Sequence, residues 1–200
     1  MLILSNLVQG LLPPAGAPAV ELANFLAGHR ERVMAAIFIR LFAGLAFVAF
    51  IGAQQAALER TGRGGRLLAG AAFAGGIVVL AGNVGASATL AAAAYRPEVT
   101  ADTRLMTTLV TATHFLYVCS GVGLSCLLLA AFGALAGTRL MPLWLGWLGG
   151  ATAVADLALP PISFGTEVYL SGAVLVAKLG WIAVIGVLLF RDRAEPDDQP

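Results

Sequence analysis

Five long apolar blocks, separated by short polar stretches, make up most of this 200-residue chain. A helix of about 20 mainly apolar residues crosses the hydrocarbon core of a bilayer, and each block approaches or exceeds that length. None alternates apolar and polar positions as a membrane-spanning β-strand does. The pattern predicts an all-α fold, a polytopic transmembrane helix bundle over 33–191, with five full crossings at 33–58, 67–94, 105–136, 143–160 and 168–190.

A shorter apolar stretch, 1–16, precedes these blocks. As a helix ending at Leu12 it reaches only about 18 Å, against a hydrocarbon core of roughly 30 Å. A cleaved secretory signal is one interpretation, but no basic residue precedes the apolar part, and polar residues interrupt it at Ser5, Asn6 and Gln9. We favour a remnant, shortened N-terminal helix that the following Pro13 and Pro14 terminate.

An amphipathic stretch, 17–32, connects this remnant to the first full crossing. Leu22, Phe25, Leu26 and His29 recur at helical spacing on one side, and the charged residues Glu21 and Glu31 lie elsewhere. Such a pattern is typical of a helix lying at the membrane interface, and we interpret it as a connector rather than a gate. At the other end of the chain, 192–200 is a short polar tail.

The arginines outside the apolar blocks indicate the orientation. The loops are short, so consecutive helices are expected to be antiparallel neighbours. Six arginines fall on one side and four on the other, namely Arg60, Arg63, Arg66, Arg139, Arg191 and Arg193 against Arg30, Arg32, Arg96 and Arg104. Positive residues favour the cytoplasmic side, which predicts a cytoplasmic C-terminus.

The composition excludes several classes of partner and site. Hydrophobic residues make up 59% of the chain and the net charge is +1, so no basic surface predicts a nucleic-acid partner. Cys119 and Cys126 lie two turns apart on one predicted helix, about 10 Å and too far for a disulfide, and we expect buried apolar fillers. The chain has no cofactor motif and no metal-ligand spacing, so neither a cofactor nor a metal is predicted.

Small residues recur at four-residue spacing within the blocks, as in Gly82-x-x-x-Ala86 and Ala71-x-x-x-Gly75. In lipid, such residues let two helices approach closely. Both pairs are therefore predicted helix-packing seams.

Polar side chains inside the apolar blocks are the candidate functional residues. An ionised group at the bilayer centre costs about 3 kcal/mol on insertion scales, so it needs a partner, a wet cavity or a function. At about 1.5 Å per helical residue, these side chains fall in the outer half of the membrane or near its midplane. They predict an outward-facing polar pocket formed by Arg40, Asn83, His114, Tyr117, Asp156 and Lys178.

Asp156 and Lys178 are predicted charge partners within that pocket. Each Cα–Cβ bond tilts toward the N-terminus of its own helix, so on two antiparallel helices the side chains lean toward each other. A structural ion pair is the favoured interpretation, and a ligand or proton site is the alternative. A retinal-type Schiff-base lysine is a third, against which the low aromatic content of 8% argues.

The other candidates have structural alternatives as well. Arg40 can snorkel to the outer interface, and His114 is more readily interpreted as a single satisfied histidine than as a ligand or proton relay. Polar and small residues form one stripe on the third helix, which is interpreted as a helix–helix seam or as a cavity wall. Its members are Thr107, Thr111, His114, Gly121 and Ser125.

Two segments resemble a known family. The stretch 140–149, LMPLWLGWLG, is similar to an interfacial turn of bacterial (largely actinobacterial) six-helix integral membrane proteins that are catalogued as a domain of unknown function (DUF). The stretch 21–33, ELANFLAGHRERV, is similar to the start of that family's second helix. The resemblance covers most of 20–160. It implies a six-helix layout with a truncated first helix here, in a bacterial cytoplasmic (plasma) membrane, and it assigns no catalytic residue.

Three functions are compatible with these features. The favoured one is binding or transport of an anionic or amphipathic ligand, such as a lipid headgroup, because the predicted pocket carries two fixed cations. The alternative is a non-catalytic accessory subunit that packs against another membrane protein or a second copy of the chain. A membrane-embedded enzyme comes third, since the chain offers no catalytic constellation at workable spacing.

Overall fold

The fold is known from a computed structural model, which describes residues 8–10, 13, 17–60, 62–95, 102–135, 143–163, 177 and 180–188, with a few side chains inside these ranges left undescribed. Four long helices follow one another: α1 (Ala19–Glu59), α2 (Arg63–Tyr95), α3 (Thr103–Leu135) and α4 (Leu143–Ser163). A further helical segment covers 180–188. The predicted all-helical class is confirmed for the described residues, which contain no strand.

Three of these helices, α1, α2 and α3, are long and apolar enough to cross a membrane. This agrees with a membrane location. Large apolar side chains on α1 are also exposed at helical spacing, at Phe38, Phe42 and Leu45. Exposed apolar stripes of this kind suit lipid rather than water. The count of five full crossings is not settled by these helices and stays a prediction.

The first helix is longer than the crossing predicted for it. It begins where the carbonyl oxygen of Pro18 accepts the backbone N–H groups of Glu21 (2.9 Å) and Leu22 (3.2 Å). Its backbone departs from helical values at His29 (φ −123°, ψ 16°), where two helical stretches meet. The His29 imidazole donates to the carbonyl oxygen of Phe25 (3.0 Å) and stacks on the Phe25 ring. The junction therefore lies close to the predicted end of the amphipathic connector.

The chain divides into two compact units, of which the first comprises Met1–Phe47 and Val79–Ser120. Its core joins the N-terminal turns of α1 to the C-terminal end of α2 and the start of α3. Leu22 and Leu26 are fully buried there against Leu90, Met106 and Val110. The apolar side of the amphipathic stretch thus packs on protein, whereas its location at a membrane interface stays a prediction.

The second unit comprises Val48–Val78 and Gly121–Pro200. Within it, Trp181 of the 180–188 segment is buried and its indole N–H donates to the Leu145 carbonyl oxygen of α4 (2.8 Å). A Cβ at Gly149 would lie 2.7 Å from the indole nitrogen. The Trp181 ring therefore occupies space that a side chain at position 149 would fill.

Glycines hold α2 and α3 in close contact. In the second unit, a Cβ at Gly75 would lie 2.6 Å from the carbonyl oxygen of Gly123. In the first unit, a Cβ at Gly82 would lie 2.7 Å from the carbonyl oxygen of Leu116. Gly82 and Ala86 are both buried, as the predicted seam requires. In the other predicted pair, Gly75 lies in the seam but Ala71 is exposed.

The cysteines differ from their prediction. Cys119 and Cys126 are both exposed, so the prediction of buried fillers is wrong. The adjacent positions on α3, Ser120 and Leu127, are the buried ones, and Cys126 borders the seam, where its Cβ would lie 3.2 Å from a Cβ at Gly75. A thiol is apolar enough to face lipid, and its presence in an apolar helix therefore does not indicate burial.

The six-to-four arginine distribution predicts that the 59–66 loop and Pro200 are cytoplasmic while Glu98 is external. We expect Glu98→Cys to react with a membrane-impermeant maleimide in intact cells, on a background without Cys119 and Cys126. Glu59→Cys should react only after permeabilisation. Glu59 is preferred to Gly62, because Gly62 has a φ of +98° that disfavours any side chain. The opposite labelling pattern would reverse the orientation.

Candidate functional site

The Arg40 side chain is the centre of the polar cluster in the first unit. Arg40 lies on α1 with only 7% of its surface exposed. Its Nη1 donates to the Tyr117 hydroxyl of α3, and its Nη2 donates to Oε1 of Gln9. The guanidinium carbon also lies 5.5 Å from the centre of the Tyr117 ring, within the range of a cation–π interaction. The burial favours an inward role for Arg40 over snorkelling.

The chemistry of these two contacts is notable because both acceptors are neutral. Hydrogen bonds from a charged donor typically contribute about 1.5–3 kcal/mol each, so the phenol and the amide stabilise the buried guanidinium. A neutral acceptor satisfies a donor without neutralising its charge. Tyr117 and Gln9 therefore help to hold the Arg40 side chain in place.

Asn83, another predicted site residue, is used in helix packing. Its Nδ2 donates to the Ser120 hydroxyl of α3 (2.6 Å) and to the Val79 carbonyl oxygen of its own helix (2.9 Å). The Ser120 hydroxyl in turn donates to the same Val79 oxygen (3.2 Å). This closed triangle joins α2 to α3 beside Gly82, where a Cβ would lie 2.9 Å from the Ser120 Cβ, and it uses both donor positions of the Asn83 amide within the chain.

His114 is half-buried on α3, and its Nδ1 donates to the Val110 carbonyl oxygen one turn earlier (2.8 Å). This geometry agrees with the interpretation of a single satisfied histidine. Across the described residues, no three side chains of His, Cys, Asp or Glu come together as a metal site requires.

The predicted stripe on α3 is buried in part. Its member Ser125 is fully buried, and two α3 side chains outside the stripe, Thr113 and Ser120, bond to Thr89 (2.7 Å) and Asn83 (2.6 Å) of α2. Thr107 is instead exposed, and its hydroxyl donates to the Thr103 carbonyl oxygen of its own helix (2.8 Å). Since a helical threonine can satisfy itself in this way, a run of hydroxyls does not reveal which face is buried.

The remaining two predicted site residues lie outside the described side chains. Asp156 belongs to α4, but its side chain is not described, and neither is Lys178. Their pairing, and their place in a cluster with Arg40, stay predictions.

Sequence reasoning missed two buried glutamines. In the sequence, Gln9 is one of three polar residues that interrupt an apolar stretch. In the structure it is 4% exposed and contacts Arg40. Gln54 of α1, in the second unit, is 1% exposed, and neither of its amide atoms has a hydrogen-bond partner in the described part of the chain. A glutamine inside an apolar stretch was the available signal in both cases.

Comparison with known proteins gives no relative. No family model, curated protein or solved structure matches this chain.

Proposed function

We propose that this protein is a multi-pass integral membrane protein of a bacterial cytoplasmic membrane that binds an anionic or amphipathic ligand, such as a lipid headgroup, at Arg40 and Tyr117. The proposal includes five full crossings after a shortened N-terminal helix, and a cytoplasmic C-terminus. It also includes the relationship to the actinobacterial six-helix family suggested by 140–149 and 21–33.

The observation that carries the ligand proposal is the buried guanidinium of Arg40 with its neutral hydrogen-bond acceptors. A guanidinium presents planar N–H donors that match the oxygens of a carboxylate or phosphate. Its attraction for an anion is stronger in a low-dielectric interior than in water. A buried guanidinium on an apolar helix therefore supports an anionic group as the ligand.

Tyr117 adds a second donor to the site. A phenol accepts one hydrogen bond through its oxygen and donates another through its O–H. Because the Tyr117 oxygen accepts from Arg40, its own proton points elsewhere and is suited to an oxyanion beside the guanidinium. The ring stays under the Arg40 carbon at 5.5 Å, so Tyr117 also positions the cation.

The test is anionic lipid binding by Arg40→Gln. Native mass spectrometry of the full chain in an uncharged detergent would measure the affinity for phosphatidylglycerol, with phosphatidylcholine as the zwitterionic comparison. Loss of a charge-assisted contact should raise the Kd for phosphatidylglycerol by about 10- to 100-fold. Tyr117→Phe should weaken binding less, because it removes the hydroxyl and keeps the ring.

Arg104→Gln is the matched control, since Arg104 is an exposed arginine of the same unit. It should change the Kd less than twofold. If the Arg40→Gln and Arg104→Gln variants bind phosphatidylglycerol equally well, the ligand proposal is wrong, and Arg40 serves only to join α1 to α3.

A further inference from the structure

A second arginine of the first unit, Arg30, is exposed where α1 approaches the end of α2. It directly follows the non-helical residue His29, so it begins the second helical stretch of α1. Its guanidinium carbon lies 5.0 Å from the centre of the ring of Tyr95, the last residue of α2. Among the described residues, no carboxylate pairs with this guanidinium. Arg30 therefore presents an uncompensated positive charge at the surface.

The Tyr95 ring orients the Arg30 guanidinium and leaves its hydrogen-bond donors unused. An aromatic face attracts the cation through the ring quadrupole, and the N–H donors at the edge of the guanidinium stay free for the oxygens of a phosphate or carboxylate. Both side chains are exposed, Tyr95 to 61%. An anion therefore reaches Arg30 from the surface without entering a cavity, in contrast to the buried Arg40.

Three helix termini meet at this end of the first unit. Leu22 near the start of α1, Ala94 near the end of α2 and Met106 near the start of α3 belong to one buried cluster. Val20 and Leu105 remain exposed at the same termini. Because α2 and α3 are apolar enough to cross a membrane, their ends are expected at the level of the lipid headgroups. Aromatic rings and the cationic ends of long side chains concentrate at that level.

We propose that Arg30, oriented by the Tyr95 ring, binds the phosphate of an anionic phospholipid at the membrane surface. The partner is a bilayer lipid rather than a soluble anion, because the exposed apolar side chains of Val20 and Leu105 at the same end suit the boundary between headgroups and acyl chains. This surface site is separate from the site proposed at Arg40, and it does not depend on the ligand proposed there.

The experiment is photolabelling of the full chain in nanodiscs of phosphatidylcholine. The probe is phosphatidylglycerol with a photoreactive diazirine in its headgroup, and mass spectrometry maps the adducts along the chain. Adducts are expected beside Arg30 and beside Tyr95. Arg30→Gln should reduce this labelling by about 2- to 5-fold, the contribution of one exposed charge contact. Arg30→Lys should reduce it as well, because an ammonium group does not reproduce the planar stacked donors.

Arg32→Gln is the matched control, since Arg32 is also an exposed arginine of α1 and a two-residue step turns the side chain to the other side of a helix. It should change the labelling less than twofold. Tyr95→Leu keeps the charge of Arg30 and removes the ring, so it should lower labelling too. If Arg30→Gln and Arg32→Gln label equally, the proposal is wrong. Wild-type labelling of Tyr95→Leu would contradict the orienting role of the ring.

Two further measurements separate the alternatives. Unlabelled phosphatidylglycerol should compete with the probe, and inorganic phosphate in solution should not; equal competition by inorganic phosphate would overturn the lipid as partner. Thermal unfolding of Arg30→Gln tests a purely structural role, because a lower melting temperature with unchanged labelling would mean that Arg30 only stabilises the end of α2. Arg40→Gln should leave the labelling beside Arg30 unchanged, so either proposal can fail without the other.

Discussion

Replacing Gly75 by alanine should lower the free energy of unfolding by about 1–3 kcal/mol, the usual cost of overpacking. The new Cβ would lie 2.6 Å from the Gly123 carbonyl oxygen and 2.9 Å from the Leu127 backbone nitrogen. Both atoms belong to the backbone of α3 and cannot rotate away as a side chain can. The two helices must therefore separate along the seam, which weakens their other contacts. Thermal unfolding in detergent, followed by circular dichroism, measures the loss.

Gly70→Ala is the matched control on the same helix. A Cβ at Gly70 meets nothing within 4 Å, and alanine is the better helix former by about 1 kcal/mol. This variant should be neutral or slightly stabilised. A Gly75→Ala protein that melts at or above the wild-type temperature would show that α2 and α3 are not in close contact at this point.

Lys178→Met and Asp156→Asn should each lower the free energy of unfolding by roughly 3–5 kcal/mol, the cost of leaving one charge of a buried ion pair without its partner. This follows from the sequence, which places both ionisable residues inside apolar blocks on consecutive predicted helices. The lysine variant leaves a carboxylate to be protonated or hydrated. The asparagine variant leaves an ammonium group in a low-dielectric region.

The double variant Lys178→Met/Asp156→Asn distinguishes direct contact from two separate roles. If the side chains pair, the second change removes the unpaired charge and recovers much of the lost stability. Melting temperatures of the four proteins in one detergent give the coupling. Additive losses would mean that Lys178 and Asp156 have different partners.

The positions of α2 and α3 could be predicted well because each is a long, nearly uninterrupted apolar run between two polar stretches. The apolar blocks at 67–94 and 105–136 end within two residues of α2 (Arg63–Tyr95) and α3 (Thr103–Leu135), except at the start of α2, where the difference is four residues. Within α1, the backbone leaves helical values at His29, three residues before the predicted end of the amphipathic connector at 32. The two helical stretches meet there, so the polar residues 30–32 lie at the start of the second stretch.

The candidate site was less accessible from sequence, because it depends on how each helix is rotated. Arg40 and Tyr117 were both recognised as polar residues in apolar blocks, but nothing in the pattern showed that they touch. His114 and Asn83 looked equally available, yet each bonds a carbonyl oxygen one turn back on its own helix. A hydropathy pattern does not show whether a polar side chain makes such a local hydrogen bond. Gln9 was missed because its partner is 31 residues away.

The tryptophans of the second unit give the protein two optical reporters of different kinds. Trp144 and Trp147 are 63% and 62% exposed on α4, whereas Trp181 is 1% exposed and hydrogen-bonded to Leu145. Indole emission depends on the polarity and mobility of its surroundings. The emission of Trp144 and Trp147 therefore reports the medium around α4. The emission of Trp181 reports whether the 180–188 segment remains packed on α4.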